Sequence, residues 1–514
     1  MQPAEVAPTA PGARPPSRAT GFLRALAPFG WVALYAGVSA ALHFAVVSVP
    51  WDTDTAYHVA VGRLIREHGI LRSFPWTPFS WLADHYADKE LLFHLLFVPL
   101  AGMPWITAAK VVGMVSGTAL LTTLYLVLRA EGVRLAGLWA LVPLLASDVF
   151  VFRFALVRPH VLSIALAVVV LWAAVRGRFA VLAAACALYP WIYVAWVLPI
   201  VLVAIAEVAR LASGERPRLA TAAWAMGGIA AGLALHPNAA NLVRFTWIVL
   251  VDVLLRGAWG GSALLEMGRE FEPFSPGQWA QWLLGASAMA LAALALAWRD
   301  RRAGPVPLAF ALTAAAFGVL TLRTARFAEY FVPLSAAALA LAVQRLRWRL
   351  APVVAPVAVA VALALYSGPA LAETLRGLAS RPDRLPDAIG AVLRREIPEG
   401  AQVFTCDWDR TGDLLLALPG RRFVVALDPT LFLVRDPELY RLWFEIPRRP
   451  PSGVSTVIRE RFGAQFVVCF WNGRFRRFFD QIAFEPDVRT ALLTEDWNVY
   501  ELRPPAASTE PARP

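Results

Sequence analysis

Charged side chains are scarce in this chain. They make up 17% of its 514 residues, against 58% apolar residues, and the mean hydropathy is +0.56. A soluble domain is about a quarter charged and about half apolar, so this deficit excludes an ordinary soluble globule. Cysteine is scarce too. The three thiols, Cys186, Cys406 and Cys469, have no metal-ligand spacing, which excludes a cysteine-built metal cluster. Cys186 lies in an apolar run and reads as a small core residue. Cys406 and Cys469 could pair if their region faces an oxidising compartment; two separate buried thiols is the other reading. No internal repeat is visible, which argues against a transporter made of duplicated halves. Arg14, Arg18 and Arg24 precede the first apolar stretch, but no clear cleavage site follows it, so that stretch reads as a retained span.

What is present fits a membrane protein. Twenty Trp suit interfacial belts. The net charge of +11 could suggest nucleic acid, but the Arg residues fall in short clusters between apolar segments, as topology determinants do. Nucleic-acid binding is set aside. Apolar stretches near bilayer length occur at about 29–49, 105–128, 134–150, 159–175, 179–190, 192–208, 218–236, 277–298, 304–322, 327–345 and 350–370. The short pair between Phe179 and Arg210, split near Tyr189-Pro190-Trp191, reads as a tight hairpin. Stretches 91–103 and 240–255 read as interfacial rather than spanning.

The clusters Arg176/Arg178, Arg210/Arg216/Arg218, Arg299/Arg301/Arg302 and Arg345/Arg347/Arg349 all fall inside if the N-terminus is inside and eleven spans follow. The outer side then holds the first loop, residues 51–104, the turn 151–158, the region 237–276 and the C-terminal part. The expected fold is an α-helical polytopic membrane protein with a transmembrane domain over 28–375. A small extracytoplasmic α/β domain over 383–504 follows. Its expected strands are Gln402–Thr405, Phe423–Leu427, Gln465–Phe470 and Trp497–Leu502, alternating with helices at Glu438–Phe444, Thr456–Phe462 and Phe475–Ile482. Residues 1–27 and 505–514 read as disordered tails, the first one cytoplasmic.

The candidate chemistry collects on the outer side. Trp51-Asp52-Thr53-Asp54-Thr55-Ala56-Tyr57-His58 puts two carboxylates and an imidazole beside a membrane boundary, where acids are costly unless solvated, paired or used. In an extended segment Asp52 and Asp54 point the same way and could share a divalent metal, Mg or Mn, or one could act as a base. If a helix starts near Asp54, His58 lies on the same face, and Thr53 or Asp54 could instead be the N-cap. Asp88, Lys89 and Glu90 follow in the same loop; Glu90 either caps the next helix or faces the site. Asp148, Arg153, Arg158 and His160 flank the third and fourth spans, and an Arg there suits a lipid phosphate. His236 ends the seventh span. Of Glu266, Glu270 and Glu272, a solvated loop is the favoured reading. Arg323 and Arg326 lie three apart at the outer ends of two spans, with Glu329 able to neutralise one. Asp407, Asp409 and Asp428 read as loop caps.

These residues carry a resemblance. A first span, then Asp-x-Asp-x-x-x-His from Asp52 to His58, Gly62, Ile65 to His68-Gly69, and Lys89-Glu90-Leu91-Leu92 is similar to bacterial multispanning proteins of the GT-C glycosyltransferase superfamily. Arg158-Pro159-His160 and His236-Pro237-Asn238 resemble turns at matching places. Related sequences often have two aromatics before the His, where this chain has Ala56-Tyr57, and Glu-Trp where it has Glu90-Leu91. The resemblance implies transfer of a sugar, a hexosyl or pentosyl unit, with inversion, from a polyprenyl-phosphate donor to a glycan, lipid or protein acceptor on the outer face of the cytoplasmic membrane. Asp52, Asp54, His58 and Glu90 would be catalytic, with Arg158, Arg323 and Arg326 on the donor phosphate. Asp88, Asp148, His160 and His236 would be further outer-face candidates. The alternatives are a lipid or polysaccharide flippase and a non-catalytic assembly subunit.

Overall fold

The computed structural model describes residues 18–50, 52–251, 268–346, 350–425 and 429–504, without the side chains of 18–27 and 269. The expectations for Trp51, Glu266, Arg347, Arg349 and Asp428, and for residues 505–514, lie outside these residues. The chain is an α-helical polytopic membrane protein with a C-terminal sheet domain. Each of the eleven apolar stretches contains a helix. Pro28–Val46, Trp105–Ala130, Ala325–Val343 and Ala351–Ala379 are each long and apolar enough to cross a bilayer. Three more candidates are bent pairs: Ala136–Ala146 with Asp148–Ala155, Leu219–Leu235 with Ala239–Val251, and Pro276–Trp282 with Leu284–Arg299. His160–Arg176, Phe179–Ile192 and Val306–Thr321 are shorter apolar helices, and Leu198–Ala212 completes the set.

Two local expectations are corrected, and a third, that residues 91–103 do not span, holds. The first helix starts at Arg18, inside the expected tail, because residues 22–27 are mostly strong helix formers. The helix Phe179–Ile192 runs through Pro190, and its break follows at Tyr193. It does not form a hairpin packed on its successor. It packs on His160–Arg176 and Leu219–Leu235, while Leu198–Ala212 packs on His160–Arg176 and Val306–Thr321. Gly228 and Gly232 make the contact with Leu219–Leu235 possible, since a Cβ at either would collide with the carbonyls of Ala183 and Ala187. Small residues allow this approach where no hydrophobic effect drives helices together. Residues 91–103 form only the short helix Leu91–Leu95 and a turn at Val98–Leu100, not a span.

The Arg-bearing turns gather at one end of the bundle. Arg176 pairs with Glu131, and Arg210 Nη2 donates to Ala174 O at 2.8 Å. Arg345 donates to Gly304 O at 3.0 Å, and Arg134 N donates to Gln344. Helix alternation puts the first loop, the 156–159 turn and the C-terminal domain at the opposite end.

That domain has a five-stranded sheet in the order β2-β1-β3-β5-β4. The strands are β1 Gln402–Phe404, β2 Arg422–Phe423, β3 Phe466–Phe470, β4 Val488–Leu493 and β5 Trp497–Leu502. β1 pairs in parallel with β2 and β3; β5 runs antiparallel to β3 and β4. Strand β4 had no expectation, because its faces are half-exposed throughout and the alternation signal is weak. Cys406 and Cys469 form a disulfide, so the pairing reading holds and the two-thiol reading does not. Cys186 is a buried free thiol.

One face of the sheet merges with the first loop. Val61, Leu64, Phe74 and Trp81 share a core with Leu393, Leu414, Leu415, Phe423, Val468 and Trp497. The helix Thr411–Ala417 lies directly on the helix Thr53–His68. Burial there pushes the Asp413 carboxyl up to about 7 despite Arg384 and Arg410, with Asp409 and Asp52 adding to the rise. Its Oδ2 has no hydrogen-bond partner, and Arg410 is 3.9 Å away. A carboxyl raised in the fold contributes stability fully present below its unfolded value near ~3.9 and lost as pH rises through its folded value. Asp413→Asn should therefore flatten the fall in melting temperature between about pH 4 and about pH 7. Thermal unfolding of the detergent-purified protein checks this, and an unchanged slope contradicts it.

Candidate functional site

The first loop builds its acids on a helix end. Asp52, not Thr53 or Asp54, is the N-cap of Thr53–His68. Its side chain accepts from Thr55 N at 2.9 Å and from the Thr55 hydroxyl at 2.8 Å. Asp54 falls in the first turn, where a negative charge suits the helix dipole. Gly69 ends the helix at φ 75°, a left-handed conformation for which Gly has no steric cost.

Arg158, from the turn before His160–Arg176, reaches across to both acids. Its Nε lies 3.0 Å from Asp52 Oδ1 and its Nη1 lies 2.8 Å from Asp54 Oδ2. Asp52 is 6% exposed and Asp54 28%. Asp52 is thus committed to the cap and Arg158, while Asp54 keeps an open side. Burial pushes the Asp54 carboxyl up, Arg158 pulls it down, and Asp52 and Glu270 push it up again.

Glu270 is the centre of a second group. It lies 2.5 Å from Arg153, 3.0 Å from Arg326 and 3.4 Å from Arg158. Burial raises its carboxyl, but Arg153, Arg326 and Arg158 outweigh burial and hold it well below the usual carboxylate range. Glu329 pairs with Arg153 at 2.7 Å, and Arg326 donates to the Tyr193 hydroxyl at 2.9 Å. Glu329 does not neutralise Arg326 by direct pairing; Glu270 does. Sequence reasoning favoured a solvated loop for Glu270, since nothing local marks it. Glu272 is exposed, as expected.

A third group lies on the other side of Asp54. His94 Nδ1 is 2.8 Å from Asp88 Oδ1, and His94 Nε2 is 2.8 Å from His58 Nδ1. Glu90 occupies the N-cap position of Leu91–Leu95 but makes no cap bond with its side chain. Its carboxylate turns toward His58 at 3.7 Å and Lys89 at 3.9 Å. Burial and the neighbouring His94 hold the His58 imidazole well below its ordinary value.

All three groups line one cavity of about 640 Å³. Of the expected site residues it takes in Asp52, Asp54, His58, Asp88, Glu90, Arg158, His160 and Arg326, together with Arg153, Lys89 and Glu270. The sheet domain supplies Trp408, Asp409 and Thr411 to the opposite wall. Three expected residues are not brought in. Arg323 is exposed, because the chain leaves the helix after Thr321 and does not keep Arg323 and Arg326 on one face. Asp148 contacts Thr374 at the start of its own helix. His236 accepts from Asn238 N and packs edge-on to Trp191.

The expected metal pair fits poorly. Asp52 and Asp54 share the guanidinium of Arg158, which already supplies a positive charge between them. Among the described residues, the ligand atoms that converge within 4.8 Å belong to His58, Glu90 and His94.

No family model matches the chain, and no curated protein matches it in sequence. Solved structures do match. The archaeal oligosaccharyltransferase AglB from Archaeoglobus fulgidus, solved with an inhibitory peptide and a dolichol-phosphate, aligns over 87% of this chain and 70% of its own, at 14% identity and a TM-score of 0.59. ArnT from Cupriavidus metallidurans, solved with undecaprenyl phosphate, aligns over 92% of this chain and 98% of its own, at 15% identity and a TM-score of 0.59. The chain has the GT-C fold.

A further GT-C structure, the mycobacterial arabinofuranosyltransferase AftD, aligns over 92% of this chain at 18% identity and a TM-score of 0.54. This chain spans only 40% of AftD. The match to nearly all of ArnT includes the region of the sheet domain, so the fold match covers both the bundle and the sheet domain, the roof of the cavity.

Proposed function

We propose that the chain is a membrane glycosyltransferase that moves a sugar from a polyprenyl-phosphate donor to an acceptor. One observation carries the reading: an open-sided acid, Asp54, and two arginines, Arg158 and Arg326, face one cavity at one end of a GT-C bundle. The acceptor hydroxyl or amine attacks the anomeric carbon, Asp54 takes or orients its proton, and the polyprenyl phosphate leaves. A single displacement inverts the anomeric centre. Asp54 is the base rather than Asp52, because Asp52 is held by the cap and by Arg158. A carboxyl raised by burial is also a better proton acceptor.

Arg326, with Arg158, meets the growing negative charge on the phosphate. Lys89 is 32% exposed and faces the same cavity, so it adds a third cation. The neighbours AglB and ArnT were solved with dolichol-phosphate and undecaprenyl phosphate, which is the donor class carried over here. The disulfide suits an oxidising compartment, and the Arg-rich turns at the far end suit the cytoplasm. The site is therefore assigned to the outer face of the cytoplasmic membrane. The gathering of acids and arginines at one membrane face favours this reading over a flippase, whose polar path must continue through the bilayer.

The test is binding and turnover in nanodiscs. Polyprenyl monophosphate is expected to bind the wild-type chain, and Arg326→Ala to weaken that binding at least about tenfold, the equivalent of one charge-assisted hydrogen bond. No binding by the wild type, or equal binding by the variant, would reject the assignment of donor and arginine.

The roof also takes part. A Cβ at Gly412 would collide with Thr53 O, the residue between the two acids. Gly412→Ala is expected to push the start of that helix and cut kcat by roughly tenfold to 100-fold, since a 1 Å misplacement can cost about 100-fold. The KM for donor should stay close to normal. A normal kcat would show that the contact does not position Asp54.

A further inference from the structure

The Asp88–His94–His58–Glu90 group is not used by the transfer step. His58 and His94 come from two helices packed on each other, Thr53–His68 and Leu91–Leu95, and Asp88 and Glu90 lie just before the second. His58, Asp88, Glu90 and His94 are all buried yet line the cavity. His58 Nδ1, His94 Nε2 and one Glu90 oxygen lie within 4.8 Å of one another. Ligands around a Zn²⁺ ion sit at about 2.0–2.2 Å from it, so small side-chain rotations bring all three into range.

Two further features point the same way. His94 holds its other ring nitrogen against the Asp88 carboxylate at 2.8 Å. That contact fixes the tautomer that turns Nε2 toward the site, and it is the arrangement that orients and strengthens metal-bound imidazoles. Asp88 Oδ1 also accepts from Glu90 N at 3.2 Å, tying the loop that bears the third ligand to the same carboxylate. The walls are aromatic: Phe93 lies edge-on to His58 at 5.0 Å and Tyr57 edge-on to His94 at 6.0 Å. They restrict the rings and limit water.

We infer that His58, Glu90 and His94 form a binding site for a divalent transition metal, Zn²⁺ in the first place, with an open coordination position toward the cavity. Two imidazoles and one carboxylate select a borderline ion over Mg²⁺ or Ca²⁺, which prefer oxygen. Three protein ligands leave the fourth position free, as in sites where a zinc-bound water or substrate oxygen is used. The two ring nitrogens already face each other at 2.8 Å. The site is separate from Asp52 and Asp54 and does not depend on the sugar-transfer reading.

The experiment uses the full chain in detergent, stripped with chelator and titrated with Co²⁺. One Co²⁺ per chain is expected, with the strong visible absorption of a four- or five-coordinate site containing imidazole, displaced by Zn²⁺. His94→Ala should abolish the signal. Asp88→Asn, which keeps all three ligands, should weaken affinity about 10-fold to 100-fold. Asp54→Asn should leave the signal in place while removing transfer, which separates this site from the base. Absence of Co²⁺ absorption in the wild type overturns the inference. So does a signal lost in Asp54→Asn but unchanged in His94→Ala and Asp88→Asn. Should His94→Ala fail to fold, the wild-type spectrum and Asp88→Asn decide.

Discussion

Asp54→Asn is expected to lower the rate of sugar transfer by about 100-fold to 10,000-fold, the usual worth of a positioned base, without unfolding the protein. The fold should survive because Arg158 keeps Asp52 at 3.0 Å and Glu270 at 3.4 Å. The helix also keeps its true cap, Asp52. The amide retains the shape of the carboxylate and can still occupy the open side of the cavity, so donor binding should persist. The check is transfer in proteoliposomes beside a melting curve of the same preparation. Full activity in the variant would remove Asp54 from the chemistry. Loss of both activity and melting transition would instead make it a structural partner of Arg158.

The second large effect concerns the roof. Replacing Cys406 and Cys469 by Ser is expected to destabilise the sheet domain by about 3–4 kcal/mol. The bridge closes a 63-residue separation, and constraint of the unfolded chain grows with loop length. It links the segment after β1 to β3, two neighbouring interior strands, where Cys406 N also donates to Cys469 Sγ. Because this domain lies on Thr53–His68, loosening it should also lower transfer. Hydrogen exchange of β1 and β3 amides under native conditions measures the loss directly. Protection equal to the wild type would show that the hydrophobic core alone holds the strands.

The bundle was legible because its signal is long and redundant. Each of the eleven apolar stretches holds a helix, and errors of a few residues do not alter that. Four of the five strands were legible as short apolar runs, while β4 was not, since neither of its faces is buried. Asp52, Asp54 and Glu90 stood out because acids next to apolar segments are costly. Glu270 did not stand out, because an acid in a polar loop looks solvated until three distant arginines are brought to it. The reverse holds for Arg323 and Arg326: three-residue spacing places them together only while a helix continues, and here it ends at Thr321. The pairing of His58 with His94 joins residues 36 apart, a contact that no local spacing encodes.

The seat of Gly412 on Thr53 makes the two halves of the molecule a single unit of inheritance. A sheet domain borrowed from another chain would need the same bare backbone at that one point, and the same apolar face opposite Val61 and Leu64. Changes on the roof must then be matched by changes on the loop beneath it. Such a chain can diversify at the rim of its cavity, around Trp408 and Asp409, far more freely than it can exchange its roof.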